Sequence, residues 1–417
     1  MNVFKFGGAS IRSASGIRQV AKILASAPTP LVVIVSAMGK TTNLLEQVHL
    51  AASRGIDFSS LKNESLAYHL DIIRELFDDP EPTTKLVKDE FDALTNTFTE
   101  ALPFDTTYDQ VVSKGEVISS RIVAQYLQNQ GLPVRWIDAR KLIATDRTYR
   151  EGKVDWETTR SRIRANLAGI QNELLITQGF IGGTDDGLTT TLGREGSDFS
   201  AAIFASCLDA ASVTIWKDVP GVMNADPKRL PAAVVFNELP FREAAEMTYY
   251  GASVIHPKTI KPLANKGIPL LVKNFDNPEL PGTRIHECMV RELPPLIVFK
   301  DNQCLISCKV TDYSFVNEQQ LFTIFHALHE LNIRINMMQN SAISFSFCID
   351  FRESKLMPLL DRLQQHFEVY YNTGLTLVTV KNYDAATFEA YRKKPGVILE
   401  QSSRSTLQVL IRNQDTE

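Results

Sequence analysis

Short apolar runs alternate with amphipathic stretches through the first two thirds of the 417-residue chain. The runs are rich in β-branched and aromatic side chains and are bounded by Gly, Pro or Ser, which is typical of buried strands. Such alternation predicts a mostly parallel sheet covered by helices on both faces, with a ligand site beyond the carboxyl ends of its strands. The predicted strands are residues 3–6, 31–36, 134–138, 174–180, 213–219 and 268–275.

The pattern changes at residues 276–295, where four prolines and little periodicity indicate a domain boundary. Beyond it, the pattern follows the β-α-β-β-α-β order of a ferredoxin-like unit and then begins a second copy without a final helix. The shortened copy has a complete sheet only if a strand at 296–300 joins it. We predict an α/β protein: a three-layer αβα domain at 1–285 and two ferredoxin-like α+β modules at 296–373 and 374–417.

The composition indicates which kinds of molecule the protein binds. The 44 basic and 48 acidic residues give a formal charge of −4 and are spread through the sequence, so no basic surface for nucleic acid or an anionic membrane is predicted. We therefore expect small molecules or proteins as partners. No run approaches the roughly 18 apolar residues that span a bilayer. These features predict a soluble, cytoplasmic protein with no membrane association.

The five cysteines are too scattered for a disulfide framework, which indicates a reducing compartment. Cys304 and Cys308 lie four positions apart, but both fall in an apolar run that is typical of a strand. We interpret them as core thiols rather than metal ligands, and we predict no metal ligand elsewhere in the chain.

The stretch KFGGAS places Lys5 on the first predicted strand and Gly7 and Gly8 at its exit. Backbone N–H groups there could approach a phosphate while the lysine neutralises it. Taken alone, the pattern fits an ordinary tight turn better than a phosphate site.

The next two candidate stretches have simpler interpretations as well. In VVIVSAMGKTTNLL, Ser36 ends the second strand, and Thr41 and Thr42 are candidate N-caps of the following helix. In SKGEVISSR, Glu116 lies beside a glycine that we expect to kink an apolar helix near a strand exit, and a solvated glutamate is the simpler interpretation. In IWKDVPGVMNADPK, the turn after Lys217 is rich enough in oxygen atoms to hold adenine and ribose, or it is a plain surface loop.

The stretch TTTLGREGSDFSAA combines both signs of charge at the start of a predicted helix. Ser197 or Asp198 can cap a helix beginning near residue 199, and a helix N-terminus attracts anions. Arg194 offers a planar fork for a carboxylate, whereas Glu116 offers a partner for an ammonium group. Together they suit a zwitterion, and an adjacent phosphate site would make the protein an amino-acid kinase.

These stretches, with EMTYYGASVIHPKTIKP, occur in the order found in aspartokinases, and the chain resembles that group of the amino acid kinase family. The resemblance covers the whole chain, because the C-terminal modules are similar to the paired ACT domains of those enzymes. It implies substrate-binding, nucleotide-binding and catalytic roles for particular residues. The implied substrate residues are Ser36, Thr42, Glu116, Arg194 and Ser197; the nucleotide residues are Lys5, Gly7, Gly8, Lys217, Asp218, Met223, Asp226, Lys228 and Ser253; and the catalytic residues are Lys5 and Asp198.

Three positions depart from the pattern of that group. Ala9 replaces a threonine of the first turn, and Met223 stands where some members place a tyrosine against the nucleotide. Ser253 occupies a position where many members carry a nucleotide-contacting lysine. One phosphate cation is therefore missing unless Lys217, Lys228 or Lys258 replaces it.

The resemblance implies an aspartate kinase that transfers the γ-phosphate of ATP to the side-chain carboxylate of L-aspartate with Mg²⁺, the first step towards lysine, threonine and methionine. It also implies a homodimer formed through the ACT-like modules and an amino-acid feedback effector, bound near residues 310–317 and a strand starting at Ile333. Two alternatives stay open. One is a kinase of the same fold acting on glutamate, and the other is an amino-acid sensor that has lost catalysis.

Overall fold

The computed structural model describes residues 1–252, 255–290, 292–311 and 314–412. These residues form two compact units. The N-terminal unit contains residues 1–222 and 235–245 and the described part of 253–290. The C-terminal unit contains 223–234, 246–252 and the described residues after 291. Two segments that we assigned to the catalytic domain, 223–234 and 246–252, therefore group with the C-terminal unit.

An eight-stranded sheet forms the centre of the N-terminal unit, with the strand order β3-β4-β2-β1-β7-β9-β10-β8. All neighbouring strands are parallel except β9 and β10. A separate hairpin pairs β5 with β6. The strands are β1 (Asn2–Phe6), β2 (Leu31–Val35), β3 (Val134–Trp136), β4 (Leu174–Gln178), β5 (Ile181–Gly183), β6 (Thr189–Thr191), β7 (Ser212–Lys217), β8 (Glu238–Pro240), β9 (Leu270–Asn274) and β10 (Thr283–His286).

Helices lie between most of these strands, and several begin at side-chain caps. Ser13 accepts the N–H of Gly16 at the start of α1, and Asp155 accepts two N–H groups at the start of α6. None of the described helices is long and apolar enough to cross a membrane. The helices are α1 (Ala14–Ala25), α2 (Thr41–Ser53), α3 (Ser59–Leu76), α4 (Glu81–Thr97), α5 (Phe104–Asn129), the short 3₁₀ helix Ala139–Lys141, α6 (Trp156–Leu167), α7 (Gly196–Leu208), α8 (Phe241–Tyr249) and α9 (Pro257–Ala264).

The main core lies on one face of the large sheet, where α1, α3, α4 and α5 pack against alternate residues of the central strands. Phe6, Val33 and Ile176 belong to this cluster and are fully buried. Helix α7 is buried on nearly all sides, as its apolar sequence requires, and it contacts β1, β2 and β7. The predicted α/β class is confirmed, and each of the six predicted strands is present, with bounds that differ from the prediction by at most two residues at either end.

The C-terminal unit contains a six-stranded antiparallel sheet with the order β12-β13-β11-β14-β16-β15. Helices α10 and α11 pack on its first half, and α12 packs on its second half. The ferredoxin-like interpretation of this region is consistent with that order. The elements are β11 (Leu296–Lys309), α10 (Glu318–Glu330), β12 (Ile335–Asn340), β13 (Ser344–Asp350), α11 (Glu353–Leu363), β14 (Glu368–Lys381), α12 (Ala385–Arg392), β15 (Val397–Ser402) and β16 (Thr406–Arg412).

Two long strands join the halves of this sheet. Residues 303–309 of β11 pair with β13, whereas residues 296–300 pair with the last residues of β14, and the register shifts between Lys300 and Gln303. The strand at 296–300 thus completes the sheet of the second, shortened module. It is the start of the first module in sequence, so the shortened copy takes its fourth strand from the N-terminal end of its neighbour.

Candidate active site

A cavity of about 660 Å³ opens in the N-terminal unit beyond the carboxyl ends of β1, β2 and β7. This is where ligands bind in open parallel sheets. The cavity brings together residues that lie up to 212 positions apart in the sequence, from Lys5 to Lys217. Nine of the residues with predicted roles line it, namely Lys5, Gly8, Ser36, Thr42, Glu116, Arg194, Ser197, Asp198 and Lys217.

A buried carboxylate holds two lysines at one wall of the cavity. Asp198 Oδ1 lies 2.6 Å from Lys5 Nζ, and Asp198 Oδ2 lies 3.6 Å from Lys217 Nζ. Burial raises the pKa of Asp198, but the two ammonium groups outweigh it and hold that pKa below its usual value. Three charged groups with a net charge of +1 therefore face the cavity, which suits an anion such as a phosphate.

The N-terminus of α7 adds backbone donors to this wall. The helix begins at Gly196 rather than near residue 199, and its N-cap is Glu195, whose side chain makes no cap bond. The prediction that Ser197 or Asp198 caps the helix is therefore wrong: both lie inside the first turn. Residues 195–198 line the cavity, so the positive end of the helix dipole faces it.

Close backbone contacts fix the loops around the phosphate wall. The N–H of Gly39 donates to Gly8 O at 3.0 Å, and a Cβ on Gly8 would lie 2.5 Å from Ala37 O. Only glycine fits there. A Cβ on Gly7 would make ordinary contact with Lys5 Nζ at 3.5 Å, and Gly7 is not among the residues that line the cavity.

Glu116 is a fully buried acid on the inner wall of the cavity. It lies in the middle of the continuous helix α5 and not at a strand exit. One carboxylate oxygen accepts the N–H of Ala37, and Oε2 has no hydrogen-bond partner among the described residues. Burial raises its pKa to about 8, and the Ala37 bond and Lys5 oppose this shift. A solvated glutamate is therefore excluded.

Arg194 and Thr42 complete the predicted substrate residues. The Arg194 side chain is exposed at the cavity and forms no ion pair with any residue in the described ranges. Thr41 and Thr42 do not cap α2, since its N-cap is Lys40 and no side chain makes a cap bond. Instead the Thr41 hydroxyl turns inward and donates to Met38 O at 2.6 Å.

Sequence reasoning missed a second group of residues around the cavity. The hydroxyl of Tyr108 donates to Glu46, and the guanidinium of Arg150 lies 4.0 Å from the centre of the Tyr108 ring. Glu46 follows Thr42 by four residues on α2, so helical spacing was the available signal. Arg150 lies in a loop and left no such signal.

Of the eight non-glycine residues with positive φ in the described ranges, the three that are neither Asn nor Asp line this cavity. Arg150, Phe180 and Glu195 line it and are non-glycine residues with φ of 67°, 69° and 54°. Such left-handed conformations cost roughly 1–3 kcal/mol each and persist where the surrounding structure enforces them. Asp109 holds one of them, because its Oδ2 accepts the N–H of Arg150 at 2.9 Å.

Six predicted nucleotide residues, Gly7 among them, are not part of this cavity. Asp218 lines a second cavity of about 330 Å³ with Ser10 and Asp276. Met223, Asp226 and Lys228 lie in the segment 223–234 of the C-terminal unit, and Ser253 lies outside the described residues. Within the part of the chain that the structure describes, no group of three or more His, Cys, Asp or Glu side chains is placed to hold a metal ion.

Known proteins with similar sequences are amino-acid kinases. The sequence model of the amino acid kinase family matches residues 1–274. Lysine-sensitive aspartokinase 3 of Escherichia coli (strain K12) is 31% identical over 410 residues, which cover 92% of this chain and 87% of that protein. The chloroplastic bifunctional aspartokinase/homoserine dehydrogenase of Daucus carota is 28% identical over 95% of this chain. The chain spans 45% of that bifunctional relative.

Solved structures with similar folds include two of E. coli aspartokinase III. One is a complex with aspartate and ADP in the R-state, at 28% identity, and the other is a complex with lysine and aspartate in the T-state, at 26% identity. Both align with a TM-score of 0.83 over 99% of this chain and 96% of theirs.

Proposed function

Because the chain belongs to the amino acid kinase family, and within it to the aspartokinases, we propose that it transfers the γ-phosphate of ATP to the side-chain carboxylate of L-aspartate. The products are 4-phospho-L-aspartate and ADP. One observation carries this proposal: a single cavity joins a lysine-rich anion wall to a buried, incompletely bonded glutamate and an exposed arginine. The E. coli neighbour bound to aspartate and ADP supports the choice of substrates.

The transfer needs positioning and charge stabilisation rather than a base. The side-chain carboxylate of aspartate is already ionised near neutral pH, since its reference pKa is about 3.9. Lys5 would stabilise the charge of the transferring phosphoryl group, together with the N–H groups at the start of α7. Asp198 acts as a positioning residue, because its buried carboxylate holds the ammonium group of Lys5 in place.

Glu116 and Arg194 would orient the amino acid. The unbonded oxygen of Glu116 accepts a hydrogen bond from the α-ammonium group, and Arg194 donates to the α-carboxylate. Ser36, Thr42 and Ser197 line the same cavity and offer neutral hydrogen-bonding groups. The side-chain carboxylate is then left to face the phosphate wall.

The nucleotide would be bound by Lys5, Gly7, Gly8 and Lys217, and by Asp218, Met223, Asp226 and Lys228 of the following loop. We propose that Mg²⁺ arrives with the nucleotide and is bound mainly by phosphate oxygens, because the described residues form no dedicated metal cluster. When bound, the ion neutralises phosphate charge. Ser253 is included among the nucleotide-contacting residues only because of its position in the stretch EMTYYGASVIHPKTIKP.

Regulation and assembly are assigned to the C-terminal modules, 296–373 and 374–417. Strand β12 is an edge of the six-stranded sheet, and Phe315, Phe322 and Met338 expose 72%, 62% and 49% of their surface in the same module. An open edge beside exposed apolar side chains favours pairing with a second copy. We propose a homodimer there, with an amino-acid effector near residues 310–317 and β12; residues 312 and 313 lie outside the described ranges.

An assay of purified protein tests the proposed reaction. ADP production from ATP should require L-aspartate, and hydroxylamine should trap the acyl phosphate as a hydroxamate. Glutamate at the same concentration is the matched substrate control. Equal rates with glutamate would indicate the alternative kinase, and no ADP with either acid would indicate a sensor.

A further inference from the structure

Asn224 joins the predicted nucleotide segment 223–234 to the sheet of the C-terminal unit. Its side chain is 8% exposed, and both ends of the amide are bonded. Nδ2 donates to Pro295 O at 2.9 Å, and Oδ1 accepts the N–H of Val234 at 2.8 Å. Its backbone carbonyl also accepts the N–H of Ile297 at 2.7 Å. One buried residue thus ties the two ends of the segment to each other and to the start of β11.

Apolar contacts hold the rest of the segment on the same sheet. Ala225, Leu230 and Ala233 pack against the cluster that contains Ile297 of β11 and buried residues of β14 and β16. Arg229 pairs with Asp301, and its guanidinium lies 4.9 Å from the centre of the Phe299 ring. The segment therefore folds as part of the second module.

This packing covers a face that the shortened module cannot cover by itself. The first module packs two helices, α10 and α11, against its strands, whereas up to residue 412 the second module has only α12. The segment 223–234 joins α12 in the same apolar cluster. A stretch that follows Lys217 in the catalytic sequence thus supplies part of the core of the regulatory module.

We propose that Asn224 is a positioning residue for nucleotide binding, and that the second module sets ATP affinity by fixing the conformation of residues 223–234. The proposal rests on the proposed function, in which Met223, Asp226 and Lys228 contact ATP. Asp226 and Lys228 are exposed beside Asn224, and Asp226 Oδ1 accepts the N–H of Lys228 at 2.9 Å. The bonds of Asn224 hold the backbone of this segment and so set where these two exposed side chains lie. When fewer molecules hold a binding-competent conformation, apparent affinity falls in proportion.

Asn224→Ala in the full chain tests the proposal, because it should change KM for ATP and leave KM for aspartate nearly unchanged. We expect KM for ATP to rise about tenfold and KM for aspartate to change less than twofold, because a buried amide anchor stabilises by an amount that corresponds to a factor of roughly 5 to 30. The matched control is Gln408→Ala, which removes another side-chain amide of the same sheet, one that donates to Thr379 Oγ1 at 3.3 Å. It should leave both constants unchanged.

Two further variants distinguish failure of this inference from misfolding of Asn224→Ala and from failure of the proposed function. Leu230→Ala trims the apolar contact without removing the bonds of Asn224, and it replaces Asn224→Ala if that protein does not fold. Unchanged KM for ATP in a folded anchor variant overturns the proposal. Lys228→Ala tests the nucleotide role directly: if it raises KM for ATP and the anchor variants do not, the proposed function stands and this inference fails. Loss of all aspartate-dependent activity in the unaltered protein would instead refute the proposed function.

Discussion

At the scale of single residues, the two buried acids of the cavity differ in their pKa. Asp198 is buried and stays ionised because two lysines accompany it, whereas Glu116 is buried with no ammonium group in contact and has a raised pKa. Both carboxyl groups lose contact with water, but the pKa of Asp198 is lowered because cations are already present, whereas the pKa of Glu116 is raised because none is in contact. Asp198 organises the protein before ligands bind, and Glu116 is suited to a cation that arrives with the substrate.

Lys5 and Asp198 should behave as one catalytic unit. We expect Lys5→Ala to lower kcat on the order of 10²-fold, about 3 kcal/mol, because a preorganised cation acts mainly in the transition state. Asp198→Asn should cause a smaller loss, and the double variant should resemble Lys5→Ala rather than the product of both losses. Steady-state kinetics with circular dichroism as the folding control will check this. Near-normal kcat in Lys5→Ala would contradict the phosphate role.

Glu116 and Arg194 should affect aspartate far more than ATP. Charged hydrogen bonds contribute about 1.5–3 kcal/mol, so Glu116→Gln and Arg194→Ala should raise KM for aspartate about ten- to hundredfold and change KM for ATP little. Glu151→Gln is a suitable control, since Glu151 lines the same cavity and has no assigned role. Equal damage to both substrates would remove these residues from amino-acid recognition.

The raised pKa of Glu116 predicts a distinctive pH dependence. With a pKa of about 8, the side chain is mostly protonated at pH 7 in the free protein, and an ammonium ligand favours its ionised form. Aspartate affinity should therefore rise with pH up to about 8, with release of a proton. Calorimetry in buffers of different ionisation enthalpy measures that proton, and Glu116→Gln should abolish its release.

Glu116 also makes the stability of the protein depend on pH. A carboxylate paired with a cation stabilises the fold more as pH rises, whereas Glu116 stabilises it less. The folded pKa of about 8 exceeds the reference value of 4.5, so the folded state binds more protons between these values. The free energy of unfolding of the ligand-free protein should fall, through this group, as pH rises across that window. Glu116→Gln should remove this component in denaturant titrations at pH 5 and pH 8.

At the scale of elements, adjacent glycines in the turn after β1 have different structural roles. Gly8→Ala would place a Cβ 2.5 Å from Ala37 O, so the turn or the loop after β2 must move, whereas Gly7→Ala makes only ordinary contact. We expect Gly8→Ala to lower the free energy of unfolding by about 1–3 kcal/mol through overpacking. Gly7→Ala is the matched control and should be close to neutral. Equal thermal stability of the two variants would contradict this account of the turn.

At the scale of the whole molecule, the modules limit where an effector can act. The strand at 296–300 completes the second sheet, but residues 223–234 occupy part of its apolar face. We therefore expect a single class of effector site, in the first module. Control of 5- to 150-fold requires a binding difference of about 1–3 kcal/mol between states.

Calorimetric titration of the full chain with lysine, threonine and methionine checks this expectation, with sedimentation velocity to measure assembly. The E. coli neighbour solved with lysine makes lysine the first ligand to try. Two non-equivalent classes of site per chain would contradict the prediction. A monomer at all concentrations would contradict the proposed dimer.

The sequence by itself determined the fold class and pointed to nine residues that line one cavity. Periodicity identified six strands of the large sheet, including the central β1, β2, β4 and β7, because a strand buried on both faces needs a continuous apolar run. Short motifs pointed to Lys5, Arg194 and Asp198 at strand and helix ends and to Glu116 within α5, and these four residues line one cavity. Periodicity and short motifs can be recognised in a sequence because they reflect local backbone geometry, and residues close in sequence largely determine that geometry.

Only the tertiary structure decided which groups share a cavity and how each is charged. Lys5 and Asp198 meet across 193 positions, and the pKa of Glu116 depends on burial by elements that no local pattern specifies. Tyr108 and Arg150 entered the cavity wall by the same long-range packing. The sequence also placed residues 223–234 in the catalytic domain, whereas in the structure they pack against β11, β14 and β16 and group with the C-terminal unit. Burial and charge pairing are sums over distant contacts, so the folded chain alone fixes them.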